Sequence, residues 1–298
     1  MEVNRRDFFK LSGASVSGLA VTGLSAPNPN GSLKASNDSG DAENGVLYDV
    51  NKCVGCRACQ NACKSWNGLP ADSIGFAGIY DNPSDFSDKT FTLIKAKEFD
   101  INGVKELLFT KFQCMHCRVP ACLNACPVGA FTKTPEGPVV YDEGKCIGCR
   151  YCMVACPFGV PTYQWQEPMP WVRKCTFCAD RQSQGMEPAC VAACPAGALK
   201  FGKRADLLDE ARERIAAEPD RYIDHIYGEN EKGGTSWLYL SPVPFEELGF
   251  PKLDTEEVTI DVERAMSAIP SVLLGVAATM TGIYWVAQRR QKRKEESE

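Results

Sequence analysis

Apolar and polar residues are spread unevenly along this chain, and the unevenness divides it into parts. From Ala265 to Ala287 no charged residue occurs. A helix of about 23 residues is about 34 Å long, enough for a hydrocarbon core of about 30 Å. Pro270 lies near the start of this stretch, where a helix tolerates proline, and Tyr284 and Trp285 lie near its end, where amphipathic rings favour a membrane boundary. The basic run Arg289-Arg290-Gln291-Lys292-Arg293-Lys294 follows. The pattern predicts a transmembrane helix over 263–288 and a basic tail over 289–298. A buried core helix is the competing reading, and the basic stop weighs against it. A second, weaker apolar stretch runs from Leu11 to Ala26 and is rich in Gly, Ala and Ser. Residues 27–44 are rich in Ser, Asn, Gly and Asp and read as a flexible linker. Within an insertion from Ser65 to Lys111, Phe91-Thr92-Leu93-Ile94 and Leu107-Leu108-Phe109 flank Asn102-Gly103, a strong hairpin signal. Over Ala205–Ala216, Leu207, Leu208, Ala211 and Ile215 share one face of an amphipathic helix. Hairpin and helix carry no visible chemistry and read as covering or docking surface.

The middle of the chain repeats itself. Val46-Leu47-Tyr48-Asp49 leads into Lys52-Cys53-Val54-Gly55-Cys56-Arg57, and Val139-Val140-Tyr141-Asp142 leads into Lys145-Cys146-Ile147-Gly148-Cys149-Arg150 in the same register. The tails Pro127-Val128-Gly129-Ala130-Phe131 and Pro195-Ala196-Gly197-Ala198-Leu199 match as well. This internal duplication frames sixteen cysteines in four sets of four. The sets are Cys53, Cys56, Cys59 and Cys63; Cys114, Cys117, Cys122 and Cys126; Cys146, Cys149, Cys152 and Cys156; and Cys175, Cys178, Cys190 and Cys194. The first and third read C-x2-C-x2-C-x3-C, the bacterial ferredoxin run that holds cubane iron–sulfur clusters. Sixteen thiolates at four per cluster predict four [4Fe–4S] clusters.

The spacing suits a cubane. Three cysteines within seven residues let one loop reach three corners, and the fourth corner is served from another run. Gly55 and Gly148 allow a tight turn and a close backbone approach. Pro127, Pro157 and Pro195 follow the last cysteine of three runs, whereas Lys64 follows the first. Zinc in four Cys₄ sites is the bland alternative, but zinc usually takes two well-separated C-x2-C pairs. Disulfides fail on geometry for cysteines this closely spaced. No C-x-x-C is followed by His, which excludes covalently attached haem. His116, inside the second run, reads as a neighbour of the ligands because four thiolates already fill that run.

Composition is ordinary for a folded protein of 298 residues, with 44% hydrophobic and 24% charged residues. The formal charge of −5 gives no reason to expect nucleic acid. Arg57, Lys64, Arg118, Lys145, Arg150 and Lys174 lie beside ligands in sequence, where they can offset cluster charge. No Gly-rich phosphate loop and no nucleophile–base pair is visible, so the chain reads as a non-catalytic wire. At its start, Arg5-Arg6 followed by the apolar stretch resembles a twin-arginine export signal over 1–26. That route carries folded proteins, as a cluster protein requires. The positive-inside rule puts the C-terminal tail in the cytoplasm, so the remainder faces the periplasm.

With these residues in view, the chain resembles the four-cluster ferredoxin-type subunits of membrane-bound bacterial oxidoreductases. Gln113-Cys114-Met115-His116-Cys117, Cys149-Arg150-Tyr151-Cys152-Met153-Val154-Ala155-Cys156-Pro157 and Tyr227-Gly228-Glu229-Asn230-Glu231-Lys232-Gly233-Gly234-Thr235 carry the likeness. The resemblance is strongest to the iron–sulfur subunits of periplasmic, quinone-linked nickel–iron hydrogenases. Molybdopterin enzymes of the formate dehydrogenase type are the alternative, and a zinc-stabilised membrane scaffold is the alternative of another class. The implied fold is α+β, two fused ferredoxin-like dicluster units over 45–262 with a β-hairpin insertion, plus the C-terminal transmembrane helix. The implied partners are a catalytic subunit, an integral membrane quinone-reactive subunit and the lipid bilayer. The resemblance also implies cross-pairing: Cys53, Cys56 and Cys59 with Cys194; Cys175, Cys178 and Cys190 with Cys63; Cys114, Cys117 and Cys122 with Cys156; and Cys146, Cys149 and Cys152 with Cys126.

Overall fold

The duplication reappears as two small antiparallel strand pairs. In the computed structural model, which describes residues 43–71, 83–101 and 103–295, strand β1 (Asn44–Asp49) precedes the first cysteine run. Helix α1 (Ala58–Trp66) carries the second half of that run. A long hairpin follows, β2 (Thr92–Ile101) and β3 (Val104–Gln113), paired from Thr92 opposite Gln113 to Ile101 opposite Val104. That register leaves two residues for the turn, of which Asn102 lies outside the described residues. The second run includes α2 (Ala121–Asn124) and ends before β4 (Phe131–Lys133), which pairs with β5 (Val139–Tyr141). The third run includes α3 (Tyr151–Ala155) and is followed by the short pair β6 (Thr162–Tyr163) and β7 (Val172–Arg173). The fourth includes α4 (Ala179–Gln182) and α5 (Ala189–Ala192) and ends before β8 (Leu199–Lys203). Helix α6 (Arg204–Ala217), strand β9 (Trp237–Leu240), helix α7 (Phe245–Leu248) and helix α8 (Val258–Glu295) complete the chain.

Strand pairing decides which runs become neighbours. β1 leads into the first run and pairs antiparallel with β8, which follows the fourth, with Val46 opposite Phe201 and Tyr48 opposite Leu199. β5 leads into the third run and pairs with β4, which follows the second. The first and fourth runs therefore share one unit, and the second and third share the other. The two units use the same local devices. Asp49 and Asp142 each cap a 3-10 turn through a side-chain oxygen, accepting from the backbone N–H of Asn51 and Gly144, both at 3.0 Å. Arg57 and Arg150 then take left-handed φ values of 59° and 64° before α1 and α3.

The sheet of the first unit has the order β8-β1-β9, with β9 parallel to β1. Alternation along its strands separates two apolar layers. Leu47, Leu238 and Leu240 face α6 and meet Leu207, Leu208 and Ala211, so the expected amphipathic helix lies on the sheet. Val46, Tyr48, Trp237 and Tyr239 join the other layer, which contains Cys59 and Cys190. Cysteines are thus part of the core: a third cluster joins Cys126 and Cys152 to Ala130, Phe131, Val139 and Val172. Buried charges around this sheet are held by hydrogen bonds. Asp49, 1% exposed, accepts from Arg214 and Tyr222 at 2.9 Å each. Arg204 donates to the carbonyls of Thr235, Gly228 and Glu229, which pins the Tyr227–Thr235 loop ahead of β9.

Two expectations need correction or delimitation. The hairpin is more than a cover: its far end is exposed, but its root enters the core through Leu108, Lys111 and Gln113. Both faces of β3 are covered at the root, so Leu108 on one face and Lys111 and Gln113 on the other are all buried. The expected signal over 1–26, and the linker over 27–44 up to residue 42, lie outside the described residues. The linker's last residue, Asn44, already belongs to β1. The expected transmembrane span over 263–288 falls on α8, where the side chains of 259–271 lie outside the described ones. Among the described residues no helix is long and apolar enough to cross a membrane. The polar Gln288-Arg289-Arg290 end dilutes the apolar run that is described. Val272, Leu273, Leu274, Met280 and Ile283 of α8 are exposed.

Candidate metal centres

The first and fourth cysteine runs converge on two spaces. One cavity is lined by Cys63, Cys175, Cys178 and Cys190, together with Lys111 and Trp237. A second is lined by Cys53, Cys56, Cys59 and Cys194, with Tyr48 against it. Each therefore collects three cysteines of one run and the last cysteine of another. In the other unit the neighbours are read from mutual effects on ionisation. Burial, followed by the thiols of Cys156, Cys114 and Cys122, pushes the Cys117 thiol well up. Burial, followed by Cys126, Cys146 and Cys149, pushes Cys152 up to about 11.

Helix geometry explains the repeated x3 spacing. Cys59 and Cys63 both lie on α1, four residues apart and so on one face, with Cβ atoms about 5–6 Å apart. Cys59 lines one cavity and Cys63 the other. Cys190 lies on α5 and Cys194 two residues past its end, and they reach the two cavities in the opposite order. Adjacent centres are thereby held one helical turn apart. The units also meet, because Cys114 is close enough to Cys175 to disfavour its ionisation, after burial and Cys63.

The donors fit a cubane. Four thiols spread around a cavity match a cofactor with four iron corners. Backbone N–H groups already point at sulfur, from Ala130 to Cys126 at 3.3 Å, from Gly148 to Cys146 at 3.4 Å and from Phe177 to Cys175 at 3.4 Å. Such donors stabilise negative sulfur. Protein burial alone works against the thiolate. It pushes Cys59, Cys63 and Cys122 up to about 12, while Lys111 pulls the first two back and Lys174 the third. A bound cluster, which takes its ligands as thiolates, offsets that penalty.

The glycines of the loops have a steric reason that spacing does not reveal. Gly55 sits at φ +66°, and a Cβ there would overlap the Phe109 ring from β3. Gly148 sits at φ +71°, with Tyr163 Oη 2.8 Å from the position of a Cβ. Substituting Gly55→Ala combines left-handed strain with overpacking and is expected to destabilise the chain by about 3 kcal/mol. Urea denaturation of the loaded protein reads this directly, and an unchanged midpoint would show that Phe109 yields freely.

Of the six basic residues singled out in sequence, most are engaged elsewhere. Lys64 is buried and donates to the carbonyls of Pro70 and Lys89, fastening the insertion. Arg118 pairs with Glu43 at 3.4 Å and Lys145 with Asp142 at 3.4 Å. Arg150 lies 5.0 Å over the Trp165 ring. Arg57 caps α1. Lys174, buried and donating to Val139 and Cys175 carbonyls, acts on a candidate ligand, Cys122. His116 is fully buried and its Nδ1 accepts from the Val139 N–H at 2.9 Å. Burial, then the Lys174 and Lys133 cations, push its pKa well below the ordinary imidazole value, so it is neutral. Lys111 and Trp237, which line the first cavity, carry no signal in sequence: each sits in an ordinary strand pattern far from its cysteines.

Known proteins agree with this architecture. Residues 105–204 match the family described as 4Fe-4S dicluster domain, and residues 44–65 match 4Fe-4S binding domain. The chain is 39% identical over 249 residues to the formate dehydrogenase, nitrate-inducible, iron-sulfur subunit of Escherichia coli strain K12, covering 81% of this chain and 83% of that one. It is 34% identical over 324 residues to the hydrogenase-2 operon protein HybA of Escherichia coli O157:H7, covering 97% and 96%. A protein of Nitratidesulfovibrio vulgaris is 40% identical over 296 residues, covering 97% and 78%. The cofactors are [4Fe–4S] clusters, and sixteen cysteines at four per cluster make four of them. Matched along most of its length by these relatives and built around their cofactor, the chain belongs to the ferredoxin-type family of iron–sulfur electron-transfer subunits.

Proposed function

We propose that this chain relays single electrons between a catalytic subunit and a quinone-reactive membrane subunit, and that each cluster is held by the cross-paired cysteines. The sets are Cys53, Cys56, Cys59 and Cys194; Cys63, Cys175, Cys178 and Cys190; Cys114, Cys117, Cys122 and Cys156; and Cys126, Cys146, Cys149 and Cys152. The observation that carries the reading is the pair of cavities that meet on α1. When bound, the clusters supply one-electron exchange without proton or group transfer. The chain's own residues set the path. α1 holds two sets one turn apart, Cys175 and Cys114 bring the units together, and Cys122 and Cys152 neighbour each other in the second unit. The sets thus follow one another in a row. Cys56 is exposed at one end, and at the other Ile147, Tyr151 and Val154 expose apolar surface beside their run.

For the catalytic partner we infer a nickel–iron hydrogenase, supported by the relative from the hydrogenase-2 operon, which matches over 97% of this chain. A formate dehydrogenase is favoured instead by the higher identity, 39%, to the iron-sulfur subunit of that enzyme. We also propose attachment to the periplasmic face of the cytoplasmic membrane, with the basic tail inside. The uncharged run Ala265–Ala287 and the arginines that follow support this. Affinity purification of the full chain from the membrane fraction tests the proposal. Expected are bound iron and sulfide, a broad visible absorption bleached by dithionite, and a co-purifying subunit containing nickel. Molybdenum in that subunit would transfer the chain to the formate dehydrogenase reading. A colourless, zinc-loaded protein would overturn the relay.

A further inference from the structure

We propose that Lys111 is the internal counter-ion of the cluster held by Cys63, Cys175, Cys178 and Cys190, and that its charge raises the potential of that cluster and, to a smaller degree, of the neighbour held by Cys53, Cys56, Cys59 and Cys194. The inference rests on the cluster assignment above. Lys111 is 1% exposed and lines the same cavity as those four cysteines. Its Nζ lies 4.4 Å over the Trp237 ring and donates to Gln113 Oε1 at 2.7 Å. Gln113 in turn donates to Tyr239, so the ammonium is held by a buried polar chain on β3 and β9. No acidic side chain among the described residues forms an ion pair with it. A buried ammonium without a carboxylate is costly, because an aromatic face and one amide oxygen replace only part of its hydration. The cost is offset when a negative group occupies the adjoining cavity, and four thiolates on a cubane provide one. Cys63 of this set and Cys59 of the neighbouring set lie one turn apart on α1, so the same cation acts on both sets. Reduction adds one negative charge to the cluster, and a fixed cation in a poorly screened interior favours the reduced form.

Lys174 plays a related part in the second unit, but its ammonium is taken by two backbone carbonyls. Lys111 therefore differs from the other buried lysines: its surroundings supply little negative charge of their own.

The test is a dithionite redox titration of the full chain, followed by electron paramagnetic resonance, in wild type, Lys111→Met, Lys111→Gln and Lys111→Arg, with iron counted in each. In both neutral variants one cluster signal is expected to titrate lower. At a fixed poise its reduced-to-oxidised ratio falls at least tenfold, about 59 mV for one electron. A second signal falls less, and the other two stay in place. Lys111→Arg retains the charge and keeps wild-type potentials. Iron retained by Lys111→Arg but lost from both neutral variants would support the counter-ion in its strongest form. Full iron with unmoved potentials in a neutral variant would overturn the proposal. So would iron loss from Lys111→Arg together with the neutral pair, since shape and not charge would then be what the site needs. Wild type devoid of cluster signals would instead refute the cluster assignment, leaving the two failures distinct.

Discussion

Cys63→Ala is expected to remove one whole cluster, lowering iron from about sixteen to about twelve atoms per chain, and to interrupt the relay between the first and second sets. The residue is 8% exposed and lies on α1, whereas the other cysteines of its cavity lie at 175, 178 and 190. Its bond to a cluster is therefore a cross-link over more than a hundred residues of sequence. The neighbouring cluster already joins the same two runs through Cys194, so the Cys63 bond closes a further loop of only about 20 residues, worth about 3 kcal/mol on disulfide arithmetic. A loss of that size lowers Tm by roughly 10 °C in a domain of this length. Cys56→Ala provides the contrast, because Cys56 is exposed and sits in the same loop as Cys53. It is expected to disturb its cluster with a smaller shift in Tm, since Cys53, Cys59 and Cys194 still join the two runs. Iron analysis and thermal melting of both variants check the pair. Sixteen irons in Cys63→Ala would refute the cross-paired set.

Removal of all iron with a chelator and reductant is expected to lower Tm by more than about 20 °C, because binding energy at structural metal sites of about 10 kcal/mol or more is also folding energy. The packing explains the size. Cys59 and Cys190 are members of the main core, and Cys126 and Cys152 of the second one, so removing the clusters hollows both cores. Loaded and stripped proteins are also expected to respond to pH in opposite directions. In the stripped chain Cys59, Cys63 and Cys122 are pushed up to about 12 by burial, against about 8.5 in an unfolded chain. The folded state then holds protons that the unfolded state releases between those values. Its stability is fully present below about pH 8.5 and is lost as pH rises toward 12. In the loaded protein these sulfurs are thiolates, and it is acid that displaces the iron. Urea midpoints at pH 7.5 and 9.5 decide the matter: a fall confined to the stripped protein is expected, and a parallel fall in both would show that the thiols are not the titrating groups.

Much of the chemistry was legible from spacing alone. The x2 intervals and the glycines at Gly55 and Gly148 describe a local loop around a cubane, and local loops depend on residues adjacent in sequence. The duplicated lead-ins and tails were equally legible, and they became β1 with β8 and β5 with β4. The helix over Ala205–Ala216 followed from its period and lies on the sheet through Leu207, Leu208 and Ala211. Less was legible where distant strands cooperate. The hairpin read as a cover because it carries no visible chemistry, yet its root supplies Phe109 against Gly55 and Lys111 to a cavity. Basic residues beside the cysteines in sequence were natural candidates for balancing cluster charge, but Lys64 and Arg118 serve the backbone and Glu43 instead.

Sequence by itself determined the cofactor class, the count of four and the duplicated plan, because the ligand spacing and repeat periodicity behind them are properties of contiguous residues. Tertiary structure alone decided which runs share a cavity, what fills the space beside Gly55 and which cation faces the thiols. Those depend on strand pairing and on inward-facing side chains more than forty residues away, where no local pattern records the neighbour.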